Sequence, residues 1–141
     1  MQVISKELYK TSVKAVGGRD GKLESDDGLL SINVLHPKEL GGPGGATNPE
    51  QLFGGGYAAC FESALNLVCR QRQIKPDSTS VTARVTLGKD AEDNFELAVI
   101  LDITLAGVER SQAEDIAKAA HNVCPYSRAT RGNIDVQLNV V

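Results

Sequence analysis

A chain of 141 residues is long enough to bury its own core and short enough to form a single domain spanning residues 1–141. Fifteen basic and eighteen acidic residues leave a net charge of −3, and the only basic groupings, Arg70-Gln-Arg72 and Arg128–Arg131, argue against nucleic acid or an anionic membrane as partner. No apolar run approaches the roughly 20 residues of a bilayer span. Three cysteines, an odd number behind the polar start Met1–Glu7, point to a cytoplasmic protein with reduced thiols and no disulfide framework.

Residues 5–13 alternate loosely, and Val16–Gly21 reads as a turn. Lys22–Ser25 and Leu29–Leu35 flank Asp26-Asp-Gly28 as a hairpin with Leu30, Ile32 and Val34 on one face. Residues 36–47 are too rich in Gly and Pro for regular structure and predict a long loop. Asn48 is an N-cap, Pro49 suits the first helical position and Gln51 can reach back to it, so a helix starts there and runs to about Gln73. Its centre, Tyr57 to Val68, is apolar on nearly every side. Val81, Ala83, Val85 and Leu87 alternate. After a polar turn at 88–94, Phe95, Leu97, Val99, Leu101, Ile103 and Leu105 alternate again, predicting an antiparallel pair. Ser111-Gln-Ala-Glu114 forms a capping box opening a second helix, with Ile116, Ala117, Ala120 and Val123 on one face and a stop or kink at Pro125. Ile134 to Val140 closes the chain as a strand. The order βββ-α-ββ-α-β is that of an α+β fold. An all-round apolar helix carrying Gly54, Gly55, Gly56, Ala58 and Ala59 further predicts a homodimer in which central helices pack together beneath antiparallel sheets.

Two cysteines stand in unusual settings: Cys60 in the small-residue run after Gly54, and Cys124 immediately before Pro125. A free thiol with a pKa near 8.5 is only ~3% ionised at pH 7, and burial lowers that fraction further, so a reactive buried Cys60 needs a cation. Arg19, flanked by glycines in the 17–21 turn, is the candidate, and Glu50 can hold its planar fork by paired hydrogen bonds. In an unbroken helix, however, Glu50 and Cys60 lie ~15 Å apart along the axis. Either the three glycines break the helix and Glu50 folds back, which is the favoured expectation, or Glu50 serves the other chain of the dimer. Taken singly, each of these residues has an ordinary structural explanation: a core thiol, a solvated turn residue, a first-turn carboxylate.

Cys69, nine residues after Cys60, falls on the opposite helix face and reads as a bystander. His121 and Cys124 have helical ligand spacing, but His36, Cys60 and Cys69 supply no second spaced pair, so no metal site is expected. The glycines at 41–45 lack the Lys-Ser/Thr of a phosphate loop.

Asn48-Pro-Glu-Gln-Leu-Phe53, Gly56-Tyr-Ala-Ala-Cys-Phe61, Val123-Cys-Pro-Tyr-Ser127 and the Gly-Gly-Arg-Asp-Gly turn together resemble the organic hydroperoxide resistance (Ohr) proteins of the Ohr/OsmC superfamily, over essentially the whole chain. Gly54-Gly55 departs from the alanines expected there. The resemblance implies an intertwined α+β homodimer acting as a thiol peroxidase on organic and lipid hydroperoxides. Cys60 would be the peroxidatic and Cys124 the resolving cysteine, with Arg19 and Glu50 the activating pair. It further implies no bound cofactor and recycling by dihydrolipoamide or a lipoylated protein rather than thioredoxin. Leu52, Phe53, Tyr57, Phe61 and Tyr126 would form an apolar wall for the substrate, although each is equally readable as plain core. Rival readings are an OsmC-type peroxidase, a non-catalytic thiol sensor using the same cysteines, and a carrier of a small apolar ligand indifferent to Cys60.

Overall fold

The computed structural model describes all 141 residues, which divide into two compact units, residues 1–49 and 50–141. The first is built on a three-stranded antiparallel sheet in the order β1 (Val13–Val16), β2 (Gly21–Ser25), β3 (Ser31–Val34). Leu23 pairs with Ile32 and Gly21 with Val34, so the alternation of Leu30, Ile32 and Val34 sets the register. The alternation read over residues 5–13 yields no strand before Val13. Val3, Ile4, Leu8 and Tyr9 remain exposed, because no neighbouring strand completes a ladder for them within this unit.

The β1–β2 turn depends on Gly17 and Gly18, at φ 84° and 58°, a left-handed path that side chains disfavour. Asp20 then accepts from the His36 backbone N–H at 3.2 Å and bonds its Nδ1 at 2.7 Å. This side-chain bond to His36 is the main reason its carboxyl titrates below the usual range. Arg19 is therefore displayed on a turn fixed on both sides. The stretch expected to be wholly irregular contains a short 3-10 helix, Lys38–Leu40, ended by Gly41 at φ 83°. Thr47 forms a parallel bridge to Val34.

In the second unit, α1 (Pro49–Gln71) runs without interruption through all three glycines. The favoured break does not occur. Gly54 is buried and Tyr57, Phe61, Ala64, Leu65, Val68 and Cys69 follow it at helical spacing, so tertiary burial outweighs the roughly 1 kcal/mol that each glycine costs. Only one stripe is covered, and Gly55, Ala59, Ser63 and Leu67 on the other side are exposed in the single chain. Gly56 has a packing reason: a Cβ there would stand 2.9 Å from Tyr126 Oη.

The sheet of this unit has the order β4 (Ser78–Lys89), β5 (Phe95–Ala106), β6 (Asp135–Val140). β4 and β5 pair antiparallel as expected, with Val85 opposite Val99 and Ala83 opposite Leu101. β6 instead joins β5 parallel on the side opposite β4, because two helices intervene and return the chain to the end of the sheet where β5 begins. Val99, Leu101, Ile103 and Leu105 on the central strand are buried in the core with the inner stripe of α1. Phe95 is an exception to the inward series: at the strand's beginning it is 75% exposed, under the Lys89 ammonium at 5.1 Å.

Next, α2 (Arg110–Val123) buries Ala113, Ile116, Ala117 and Ala120 at i, i+3, i+4, i+7 spacing, while Val123 is exposed. The predicted capping box is absent. The N-cap is Glu109, with no side-chain cap bond, which leaves Ser111 inside the helix. Cys124 ends α2 in an extended conformation and begins α3 (Pro125–Thr130), where Pro125 occupies a first-turn position that needs no N–H donor. No helix of the chain is long and apolar enough to cross a membrane.

The Gly56 contact gives a sign-reversing test. Gly56→Ala should lower stability to denaturant because its methyl group displaces Tyr126. In a Tyr126→Ala background the same change should gain about 0.5–1 kcal/mol, the ordinary helical preference for Ala over Gly.

Candidate active site

Folding of the second unit brings the two sequence-selected sulfurs together. Cys60 Sγ, on α1, and Cys124 Sγ, at the α2–α3 junction, are 3.5 Å apart, with the Cys124 thiol donating. A disulfide requires about 2.05 Å, so side-chain rotation and a small backbone adjustment suffice to join them. Both thiols are free, Cys124 fully buried and Cys60 partly exposed at the core's edge. Proximity follows from three local causes. Gly56, one turn before Cys60, admits the Tyr126 ring; Pro125 interrupts the helical path; and Cys124 N–H still bonds Ala120 O at 2.8 Å, anchoring the break.

Burial pushes the Cys60 thiol above its ordinary range. A hydrogen bond from the Tyr126 backbone N–H pulls the other way, while the adjacent Cys124 adds to the rise, through its side-chain hydrogen bond first and its charge second. The second unit thus supplies contact between sulfurs without ionising the first. Cys69 is 2% exposed on the far side of the buried stripe, roughly 180° around α1 from Cys60, and burial raises its pKa as well.

Of the other residues singled out, Arg19 is on the β1–β2 turn and Glu50 in the first turn of α1. With α1 unbroken, Glu50 and Cys60 of one chain stay ~15 Å apart along the helix axis. Phe53, Tyr57 and Tyr126 form a run of touching rings, with centroids 6.0 and 5.8 Å apart. Tyr57 and Phe61 are fully buried, Leu52 and Phe53 partly so, and Tyr126 is 40% exposed. No three His, Cys, Asp or Glu side chains gather as metal ligands.

Sequence reasoning missed a buried polar network beside Cys124. Tyr57 Oη lies 2.8 Å from Ser127 Oγ and 3.2 Å from Thr130 Oγ1, and Ser127 Oγ lies 2.8 Å from His121 Nδ1. In the sequence pattern His121 stands out only as a metal-ligand candidate. The available signal was Ser127 and Thr130, three apart on a short helix that must bury one face.

Residues 42–139 match the model of the OsmC-like protein family. The chain belongs to that family. OhrA of Bacillus subtilis, an organic hydroperoxide resistance protein, is 50% identical over 143 residues, covering 97% of this chain and 99% of the relative. Among solved structures, an organic hydroperoxide resistance protein from Legionella pneumophila matches with a TM-score of 0.92 at 50% identity, over 96% of this chain and 98% of the other. The crystal structure of Bacillus subtilis OhrB matches at 0.87 and 40% identity, over 96% and 100% of the two chains. This OsmC-like chain thus shares the fold of Ohr proteins along nearly its full length.

For the OsmC-like chain, mild oxidation with diamide should yield one intramolecular bond, Cys60–Cys124, with Cys69 left as a free thiol in peptide mapping. A Cys60–Cys69 bond would contradict this geometry.

Proposed function

We propose that this protein is a cysteine-based peroxidase that reduces organic and lipid hydroperoxides to alcohols, in keeping with the hydroperoxide-resistance names of its relatives. The observation that carries the reading is the 3.5 Å separation of Cys60 and Cys124 across 64 positions of sequence. Cys60 is the sulfur that substrate can reach. Its thiolate attacks the terminal hydroperoxide oxygen, the O–O bond breaks, and the departing alkoxide takes a proton to leave as alcohol. Cys124 then displaces the hydroxyl of the resulting sulfenic acid, giving a disulfide and water. An external dithiol of dihydrolipoyl type returns both thiols to the reduced state by exchange.

Because burial opposes ionisation of Cys60, a cation must be brought to it. Arg19 is assigned that task, with Glu50 orienting its guanidinium. Since α1 is continuous, Glu50 is assigned to the partner subunit's Cys60 in a homodimer, and the exposed small-residue stripe Gly55, Ala59, Ser63 supports close packing of a second helix. Leu52, Phe53 and Tyr126, backed by Tyr57 and Phe61, form the apolar wall that favours alkyl hydroperoxides over hydrogen peroxide.

Cys60→Ser should abolish consumption of a bulky organic hydroperoxide in a multiple-turnover assay driven by dihydrolipoamide. Cys124→Ser should still oxidise once but form no intramolecular bond. Unchanged turnover by the Cys60 variant, or equal turnover with thioredoxin as donor, would count against the respective assignment.

The charge assignment has its own measurement, the pH profile of Cys60 alkylation. Wild type should level off near neutrality. In Arg19→Gln, where only the Tyr126 backbone N–H opposes burial, the rate should keep rising past the ordinary thiol value of about 8.5 and fall at least about thirtyfold at pH 7. A wild-type rate still climbing tenfold per unit at pH 9 would remove Arg19 from this role.

A further inference from the structure

Two buried hydroxyls near the sulfurs have no part in the chemistry described above. Ser127 is 0% and Thr130 7% exposed, both on the short helix that follows Cys124. Burying hydroxyls is unfavourable unless each is hydrogen-bonded, and an alanine or valine would fill such space at lower cost. Here every one is satisfied. Thr130 Oγ1 donates to backbone, with Tyr126 O at 3.0 Å and Ser127 O at 3.3 Å. Tyr57 Oη therefore donates into the Ser127–Thr130 pair, and Ser127 Oγ shares a second hydrogen bond with His121 Nδ1, in which the donor follows from the imidazole tautomer. Burial of the ring pushes His121 below its usual range and so favours the neutral imidazole.

The placement of this bond matters more than its strength. His121 lies three residues before Cys124 and Ser127 three residues after it, so their hydrogen bond bridges the very chain break that carries the sulfur. From the same oxygen, the bond to Tyr57 reaches α1 three residues before Cys60. One hydroxyl thus ties both cysteine-bearing elements to each other and spans the α2–α3 break.

We propose that Ser127, through its bonds to His121 and Tyr57, is a positioning residue for disulfide formation, holding Cys124 within reach of the Cys60 sulfenic acid without taking part in the peroxide step. The proposal rests on Cys124 being the resolving thiol. In that step the Cys124 sulfur forms the S–S bond as the S–O bond of the sulfenic acid breaks. Cys124 is oxidised, the sulfenic sulfur is reduced, and the thiol proton leaves with the hydroxyl as water. Nothing but alignment is asked of the protein. Release of the junction therefore lowers the effective concentration of Cys124 at Cys60 and slows this step alone.

The test is a single turnover with one equivalent of an organic hydroperoxide, with sulfenic acid followed by dimedone trapping and mass spectrometry and the disulfide by thiol loss. Ser127→Ala should oxidise Cys60 within about twofold of the wild-type rate yet form the disulfide at least about tenfold more slowly, with trapped sulfenic acid accumulating. His121→Phe, which removes the other end of the same bond, should show the same split. The double variant should be no slower than the slower single one, because both lose one shared interaction. Disulfide formation at wild-type rates in both single variants overturns the proposal, as does an equal loss in both steps, which would mark a general packing defect. A wild-type protein that consumes hydroperoxide without forming the Cys60–Cys124 bond overturns the resolving assignment itself and takes this proposal with it.

Discussion

The contact between two sulfurs 64 residues apart is the constraint on which the second unit is organised. It requires α1 to lie against the sheet with Cys60 at the edge of its buried stripe, and the chain after α2 to stop being helical at the residue that reaches that edge. Either element alone could be built from many sequences. Their meeting at 3.5 Å depends on a missing side chain at Gly56, which lets Tyr126 lie against α1, and on Pro125, which leaves Cys124 extended between two helices. Because close-packed interiors transmit displacements, small changes at either position are felt at the sulfurs.

The same burial that fixes the contact works against the chemistry. Removing Cys60 from water raises its pKa, and a neighbouring thiol raises it further. Backbone donation from Tyr126 offsets this only in part. Under the proposed function, contact between the thiols serves resolution but not activation, so the activating charge is assigned to a residue outside the hydrophobic cluster. An arginine is suited to that task because it cannot lose its proton, and the Arg19 turn, held by two left-handed glycines and the Asp20–His36 bond, presents one with few degrees of freedom.

Much of the architecture was legible because it rests on periodicity. The 2-residue alternation of Val81–Leu87 and Leu97–Leu105 and the helical spacing of Ile116, Ala117 and Ala120 each encode a buried face directly. The candidate pair was legible for a different reason: a cysteine among small residues and a cysteine before proline are chemically odd. What sequence hid were balances between local and tertiary terms. Three glycines favour breaking an isolated helix, yet the buried stripe from Gly54 to Cys69 keeps α1 intact. Ser111 and Glu114 match a capping pattern, yet the chain enters α2 earlier, with Glu109 as N-cap and Ser111 inside the helix. The parallel seating of β6 depends on where α2 and α3 deliver the chain, which no strand pattern records. The Tyr57–Ser127–His121 network was invisible because its partners are 70 and 6 residues apart and none is unusual alone.

Accessibility orders the reaction that the proposed function requires. Cys60 is partly exposed and Cys124 fully buried, so an incoming hydroperoxide meets only the first sulfur, and the second is oxidised only through it. A reversed arrangement would let oxidant attack the resolving thiol directly and strand the pair in competing oxidised forms. Burial of Cys124 also shields it from solutes, so its useful reactivity is confined to an electrophile already in contact. For such a thiol, position substitutes for intrinsic reactivity. The buried hydrogen bonds that hold the α2–α3 junction then belong to the catalytic design as much as to the stability of the fold.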